Sequence, residues 1–413
     1  MNQTINEARS AFATRPLEVA GLLLLAALTI ASYGFARPAA ESLFVERYGS
    51  ANLPWAWLGV GVAAVATTAL YNRVVTAVSL VQLWPRAVLV ICAVCALLLA
   101  ATALGVRHAE FALYIWKDLY IVVLVELFWS IANVSFPLSR ARWLYGAFLA
   151  AGSAGGFCAE VSVGHVASAL GSTGAVAVSL PILILTIAMV PFLPAAARVP
   201  GKGATVSIGA IASRAVTVLR KSRYLLLLVG LVALVQISLT VIDYQFNVAL
   251  EAYAPDVDER TGLAGKLYAV ISIASLILQV VSGLLIKGFG IPVVIALAPV
   301  LLFGGALAFA LHPRFGIIAV VKVASKALDY SVGRAAKELL YIPLSYEEKT
   351  EGKALVDLLS YRVSKAFASV LLLWIASAEL GGGAIVALAL GLLAGWLVLA
   401  LIIGRRFRMT GNE

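Results

Sequence analysis

Residues 87–101 form an unbroken apolar run, and residues 384–403 form another that only glycine interrupts. A helix needs about 20 such residues to cross the hydrocarbon of a bilayer, and comparable runs recur along the whole chain. Of the 413 residues, 62% are hydrophobic and 13% charged, where a soluble domain carries about a quarter charged residues. So little polar surface cannot coat a water-soluble fold of this length. A soluble enzyme, a disordered chain and a disulfide scaffold are therefore excluded. A membrane β-barrel would show short alternating segments, whereas long apolar runs call for helices, which satisfy their own backbone groups in lipid. The expected fold class is an all-α polytopic membrane protein.

Twelve transmembrane helices are expected, near 18–40, 54–76, 85–106, 111–136, 143–168, 172–194, 224–250, 264–287, 290–311, 315–342, 354–378 and 381–404. Residues 1–16 are mostly polar and hold Arg9 and Arg15, and the apolar run after them reads as an uncleaved first helix. The net charge of +10 concentrates in one linker, 196–223, which holds Arg198, Lys202, Arg214, Arg220, Lys221 and Arg223 without an acidic residue. The tail adds Arg405, Arg406 and Arg408. The positive-inside rule places the linker and both termini in the cytoplasm. The acidic loop 251–263, with Glu251, Asp256, Asp258 and Glu259, falls outside. The linker divides the chain into an N-terminal six-helix half (1–195), the basic segment (196–223) and a C-terminal six-helix half (224–413). A faint repeat relates the halves: Tyr33, Gly34, Phe35 and Glu41 in the first span against Tyr244, Gln245, Phe246 and Glu251 in the seventh. Two six-helix halves with a midplane site form the major-facilitator-like arrangement; an unrelated twelve-span bundle is the alternative.

Ionisable residues within a bilayer are costly and face a cavity or a partner. This chain places Arg37, Lys117, Lys322, Lys326, Arg334 and Lys365 in its spans, together with Glu126, Glu160, Asp243, Asp329 and Asp357. In the tenth span Lys322, Lys326, Asp329 and Lys337 fall close to one helical face, with Tyr330 and Arg334 on the adjoining edge. Such a stripe attracts anions through charge-assisted hydrogen bonds, lysine as a point charge and arginine as a planar fork. The competing reading pairs Lys326 with Asp329. In the fourth span Asp118, Glu126, Trp129 and Asn133 share a face from which Lys117 is expected to point away. In the eleventh, Asp357, Tyr361 and Lys365 share one.

Other chemistry finds no support. His108, His165 and His312 have no ligand spacing, so no metal is expected, and no cofactor either. Cys92 and Cys95 sit in mid-span and read as small buried hydrophobes. Gly201, Lys202 and Gly203 lack the spacing of a phosphate loop, so ATP hydrolysis and enzymatic catalysis are not expected and no catalytic residue is assigned. The glycine-rich stretch 151–156 reads as a site of close helix packing. The basic linker reads as a topology signal beside anionic lipid; without interleaved aromatic residues it does not point to nucleic acid.

Lys326–Ser331 (KALDYS), Lys337–Leu344 (KELLYIPL), Lys349–Ala354 (KTEGKA) and Asp357 resemble the signature of the ATP/ADP antiporters, the nucleotide transporters of plastids and obligate intracellular bacteria. Phe128–Asn133 (FWSIAN) is similar to the family's fourth-span motif, and Arg37, Glu41 and Leu43 fit its first-span pattern in part. The resemblance implies a major-facilitator-like fold and nucleotide exchange. The chain departs from it at Ala40, where the family has a lysine, and at or beside Lys117, where nucleotide exchangers have a glutamate. It therefore reads as a divergent member.

The expected function is secondary active transport of a nucleotide or related anionic, phosphorylated metabolite by alternating access in a bacterial inner membrane. Arg37, Lys326, Arg334, Lys337 and Lys365 would bind anionic groups, with Trp129, Asn133 and Tyr330 lining the site. Glu126, Asp243, Asp329 and Asp357 would set coupling and gating. Two alternatives stand beside it: proton-coupled transport of another organic solute, with Glu126 or Asp243 as proton carrier, and a non-transporting membrane receptor or assembly protein.

Overall fold

The computed structural model describes residues 15–75, 78–136, 138–198, 222–341, 344 and 361–410. Among them the chain is helical, with no strand. The helices are α1 (Pro16–Tyr48), α2 (Leu53–Val75), α3 (Leu80–Ala103), α4 (Ala109–Ser135), α5 (Leu138–Ile187), α6 (Arg223–Tyr253), α7 (Val257–Phe289), α8 (Ile291–Leu311), α9 (Phe315–Leu328), α10 (Arg334–Leu340), α11 (Tyr361–Ser377) and α12 (Gly381–Thr410). A π-helical turn, Asp329–Gly333, joins α9 to α10. Each expected span falls, in whole or in part, on described helix. Two of them run together in α5, which breaks at Gly171 (φ 74°, ψ 165°), a backbone conformation that favours glycine.

Eight helices are long and apolar enough to cross a membrane by length and composition. The other expected spans differ for physical reasons. Helix α4 carries Glu110, Lys117, Asp118 and Glu126, the tenth segment is interrupted by the π turn, and α11 has 17 described residues. The chain is an integral membrane protein, and its outer faces match that solvent. Val62, Leu97, Val280, Leu284 and Val398 are more than half exposed.

The described chain groups into two compact units. One comprises Met1–Gly49, Val62–Thr205 and Ala254–Ser272, the other Ser50–Gly61, Val206–Tyr253 and Ile273–Glu413. In the first, α1 and α5 pack along a seam of small residues. A Cβ added at Gly155 would collide with the Ala27 carbonyl oxygen, and one at Gly34 would lie 2.7 Å from the Ala159 Cβ. Small residues let helix backbones approach this closely. Trp84 is fully buried and donates from its indole N–H to the Thr186 hydroxyl at 3.1 Å. Cys92 and Cys95 are both buried and free.

The start of α7 is strapped to the same seam. Gly262 approaches Gly164 so closely that a Cβ on Gly164 would lie 3.0 Å from the Gly262 Cα. Arg260 is buried and donates to the carbonyls of Ala254, Pro255 and Ser42 at 3.0, 2.6 and 3.3 Å. Asp258 accepts from the Ser172 amide and hydroxyl at 2.6 and 2.7 Å, which covers the first N–H after the break in α5.

Candidate functional site

Each unit holds its own cluster of charged side chains within its helices. In the first unit Arg37 and Glu41 lie one turn apart on α1, and Lys117 and Asp118 are neighbours on α4. The Lys117 side chain is 1% exposed, and its Nζ lies 3.2 Å from Glu41 Oε1 and 2.8 Å from Asp118 Oδ1. Arg37 Nε lies 3.4 Å from the same Glu41 oxygen. Tyr268 of α7 donates its hydroxyl to Glu41 Oε2, and Tyr33 donates to Asp118 Oδ1 at 3.2 Å. The Arg37 guanidinium sits 3.9 Å above the Tyr268 ring, and Lys117 Nζ sits 4.0 Å from the centre of the Tyr114 ring. Cations over aromatic faces gain most where water is excluded. Glu41 is thus a shared acceptor for an arginine, a lysine and a tyrosine from three helices.

Lys117 does not turn away from the polar face of α4 as its phase suggested. Its four-carbon stem is long enough to bring the ammonium group back to Asp118. Glu126, two turns on, is exposed. Asn133 accepts from the Tyr145 hydroxyl at 2.6 Å, and Tyr145 meets Trp129 edge-on at 5.1 Å. Trp129 and Asn133 therefore share one network, apart from the Lys117 pairs.

In the second unit, Asp243 of α6 receives two lysines of α9. Lys322 Nζ lies 2.7 Å from Oδ1 and Lys326 Nζ 2.9 Å from Oδ2. The Lys322 side chain is 2% exposed, and Phe246 offers its ring at 5.2 Å. Lys326 thus closes on Asp243 across a helix interface rather than on Asp329 in its own helix. Past it, the π turn inserts an extra residue and rotates α10 relative to α9. Gly333 is needed there, because a Cβ would meet the Leu328 carbonyl oxygen at 2.9 Å. Asp329, Tyr330, Arg334 and Lys337 then line a cavity of about 280 Å³ with Gln236 of α6. The straight-helix stripe becomes two groups: lysines closed on Asp243, then a cavity edge carrying two cations and one carboxylate. Lys365 of α11 sits 5.3 Å from the Trp57 ring. Asp357 lies outside the described residues. Among the described residues no group of three or more metal-binding side chains occurs.

Sequence reasoning took Glu41 as a partial match to the first-span pattern and Lys117 as a departure from the family, and it missed Tyr268 altogether. The i, i+4 spacing of Arg37 and Glu41 was the available signal.

Such clusters can hold and exchange anionic groups, since charge-assisted hydrogen bonds in a dry interior are short and strong. Residues 314–407 match the family model described as TLC ATP/ADP transporter. The chain is similar to "ADP,ATP carrier protein 1" of Chlamydia pneumoniae, at 29% identity over 169 residues, which cover 36% of this chain and 33% of that protein. It is similar to "Plastidic ATP/ADP-transporter" of Solanum tuberosum, at 27% over 165 residues, covering 35% and 26%. It thus spans about a third or less of the length of these relatives. Among solved structures it resembles the nucleoside transporter NupG, with a TM-score of 0.69 at 13% identity over 94% of this chain and 98% of that one. It also resembles the POT family transporter PepTSo, with a TM-score of 0.67 at 11% identity over 96% and 98%. The fold is therefore major-facilitator-like, as in those two structures, and residues 314–407 carry the similarity to the TLC ATP/ADP transporter family.

Proposed function

We propose that the chain is a secondary active transporter of a nucleotide or a closely related phosphorylated anion. It works by alternating access between two six-helix halves, 1–195 and 224–413, joined by the basic segment 196–223. Twelve helices cross a bacterial inner membrane, with both termini in the cytoplasm. Arg37, Lys326 and Lys365 take the phosphate groups. Trp129 and Asn133 offer ring and hydrogen-bonding surface to the rest of the solute, and Asp243 competes with the substrate for the lysines. The observation that carries this reading is the pair of lysines on Asp243, which falls within the family match apart from the aspartate itself. An arriving phosphate can take over one ammonium group while the carboxylate keeps the other, so neither charge is stranded.

Uptake of labelled ATP into liposomes preloaded with ADP tests this. Counter-substrate should accelerate uptake of ATP or of another phosphorylated anion in a small panel, and Lys326→Ala should lower it at least tenfold. Because Ala40 and Lys117 depart from the family pattern, ATP/ADP exchange itself should be slow and rise in Ala40→Lys. Uptake driven by a pH gradient without counter-substrate would replace exchange with proton coupling. No flux of any anion would refute transport of this class.

A further inference from the structure

The cavity at Asp329, Arg334 and Lys337 lies among α6, α8, α9–α10 and α12, all within the second unit. Its charged residues gather at the α9–α10 side with Gln236 on α6, while Leu231, Val294, Ile295 and Trp396 wall the rest. Of the other polar groups, the Ser325 hydroxyl is already donated to the Lys322 carbonyl at 2.8 Å. Gln236, Tyr330 and the Trp396 indole stand on different elements around the apolar wall, whereas a ribose and a base would need several convergent polar partners. Leu297 also lines a second recess of about 390 Å³ between α8 and α12. This recess is apolar except for exposed Arg405. It opens where Val293, Val300 and Leu401 are about half exposed, on helix faces suited to acyl chains. The two helices pinch together at its end, where a Cβ on Gly404 would lie 2.8 Å from the Pro292 Cβ.

We propose that this pair of recesses binds an anionic phospholipid: Arg334 and Lys337 hold the headgroup phosphate and the apolar groove at Leu297 takes the start of an acyl chain. The proposal rests on the topology given above, which puts the C-terminal end of α12, and so Arg405, at the cytoplasmic leaflet. Basic pockets between spanning helices on that side suit anionic headgroups. Arg334 and Lys337 then serve the lipid rather than the transported solute. Asp329 sets the selectivity, since it offsets one cation and disfavours a multiply charged ligand such as a nucleoside triphosphate.

The test is thermal stability of delipidated full-length protein in neutral detergent. Phosphatidylglycerol, phosphatidylcholine of the same acyl chains, inorganic phosphate and ATP are added separately, and lipid retention is read by native mass spectrometry. Phosphatidylglycerol should raise the melting temperature by several degrees, since a ligand of the folded state stabilises it, and one molecule should be retained. Phosphatidylcholine should do neither. Arg334→Gln with Lys337→Gln should abolish the shift, and Leu297→Trp should abolish it without changing charge. Arg198→Gln, a basic change in the first unit, should leave it intact. A shift from inorganic phosphate alone would assign a free-phosphate site, and a shift from ATP lost in Arg334→Gln would return these residues to the substrate; either overturns the lipid. An equal shift in all variants would reduce the effect to bulk lipid and also overturn it. Because none of these readouts measures flux, failure of the transport reading would leave the lipid result standing.

Discussion

The two charged clusters solve the same problem with opposite stoichiometry. In the first unit two cations, Arg37 and Lys117, face two carboxylates, Glu41 and Asp118, and three tyrosines fill the gaps. Among the described residues of the second unit, two lysines share the carboxylate of Asp243, and Arg334 and Lys337 follow on the cavity edge with Asp329. A balanced cluster satisfies itself and holds helices in register. A cluster with surplus cations is poised for an anion. On our proposal the Lys117 pairs of the first cluster act as a brace beside Arg37, and the second cluster, where the family match falls, takes the larger share of the anion.

The sharpest way to break the comparison is Asp243→Asn. It removes a charge on which both ammonium groups close, and Lys322 is buried. Breaking a buried ion pair from one side costs about 3–5 kcal/mol. The yield of monodisperse protein in detergent should fall steeply. Adding Lys322→Met should restore at least half of it, because replacing a buried pair by apolar groups is often neutral. Full yield in Asp243→Asn alone would show that the second cluster is wet and loosely coupled.

Lys117→Met should cost less, about 3 kcal/mol, the low end for a buried pair. Glu41 keeps Arg37 and Tyr268, and Asp118 keeps Tyr33. Thermal unfolding followed by tryptophan fluorescence would measure the difference. A loss larger than that of Asp243→Asn would reverse the ranking of the two clusters.

The smallest expected effect is Tyr268→Phe. It keeps the ring under Arg37 and removes only the hydroxyl donated to Glu41, a bond to a charged acceptor worth about 1.5–3 kcal/mol. It should lower the melting temperature by a few degrees at most. A transport rate changed severalfold at unchanged stability would instead make the strap between α7 and α1 part of the transport cycle.

Much of the fold was legible because it depends on local pattern. Every expected span meets described helix, and the glycine-rich stretch 151–156 lies in the α1–α5 seam, where Gly155 and Gly156 admit α1. The stripe of Lys322, Lys326, Asp329 and Lys337 was visible by phase, but not its division into lysines closed on Asp243 and a cavity edge beyond the π turn. What was not legible depends on which helices become neighbours. Nothing near Asp243 in sequence announces its lysines, which stand at least 79 residues away, and Tyr268 looks like any aromatic in an apolar helix. The π turn was hidden too, since Asp329–Gly333 reads as ordinary helix until Gly333 meets the Leu328 carbonyl.

The placement of these partners along the chain also sets an order of assembly. Helix α1 carries Arg37 with Glu41 and α4 carries Lys117 with Asp118, so each enters the membrane with its charges already neighbours. Helix α6 does not: Asp243 emerges from the ribosome 79 residues before Lys322. At about 5–20 residues per second that interval is roughly 4–16 s, and an aspartate at mid-membrane costs about 3 kcal/mol on insertion scales. The leucine run Leu225–Leu228 at the start of α6 offsets part of this, since a leucine at the centre of a span returns up to about 0.6 kcal/mol. Thinning that run would therefore strike at insertion during synthesis, and would lower the amount of protein in the membrane without altering the finished site.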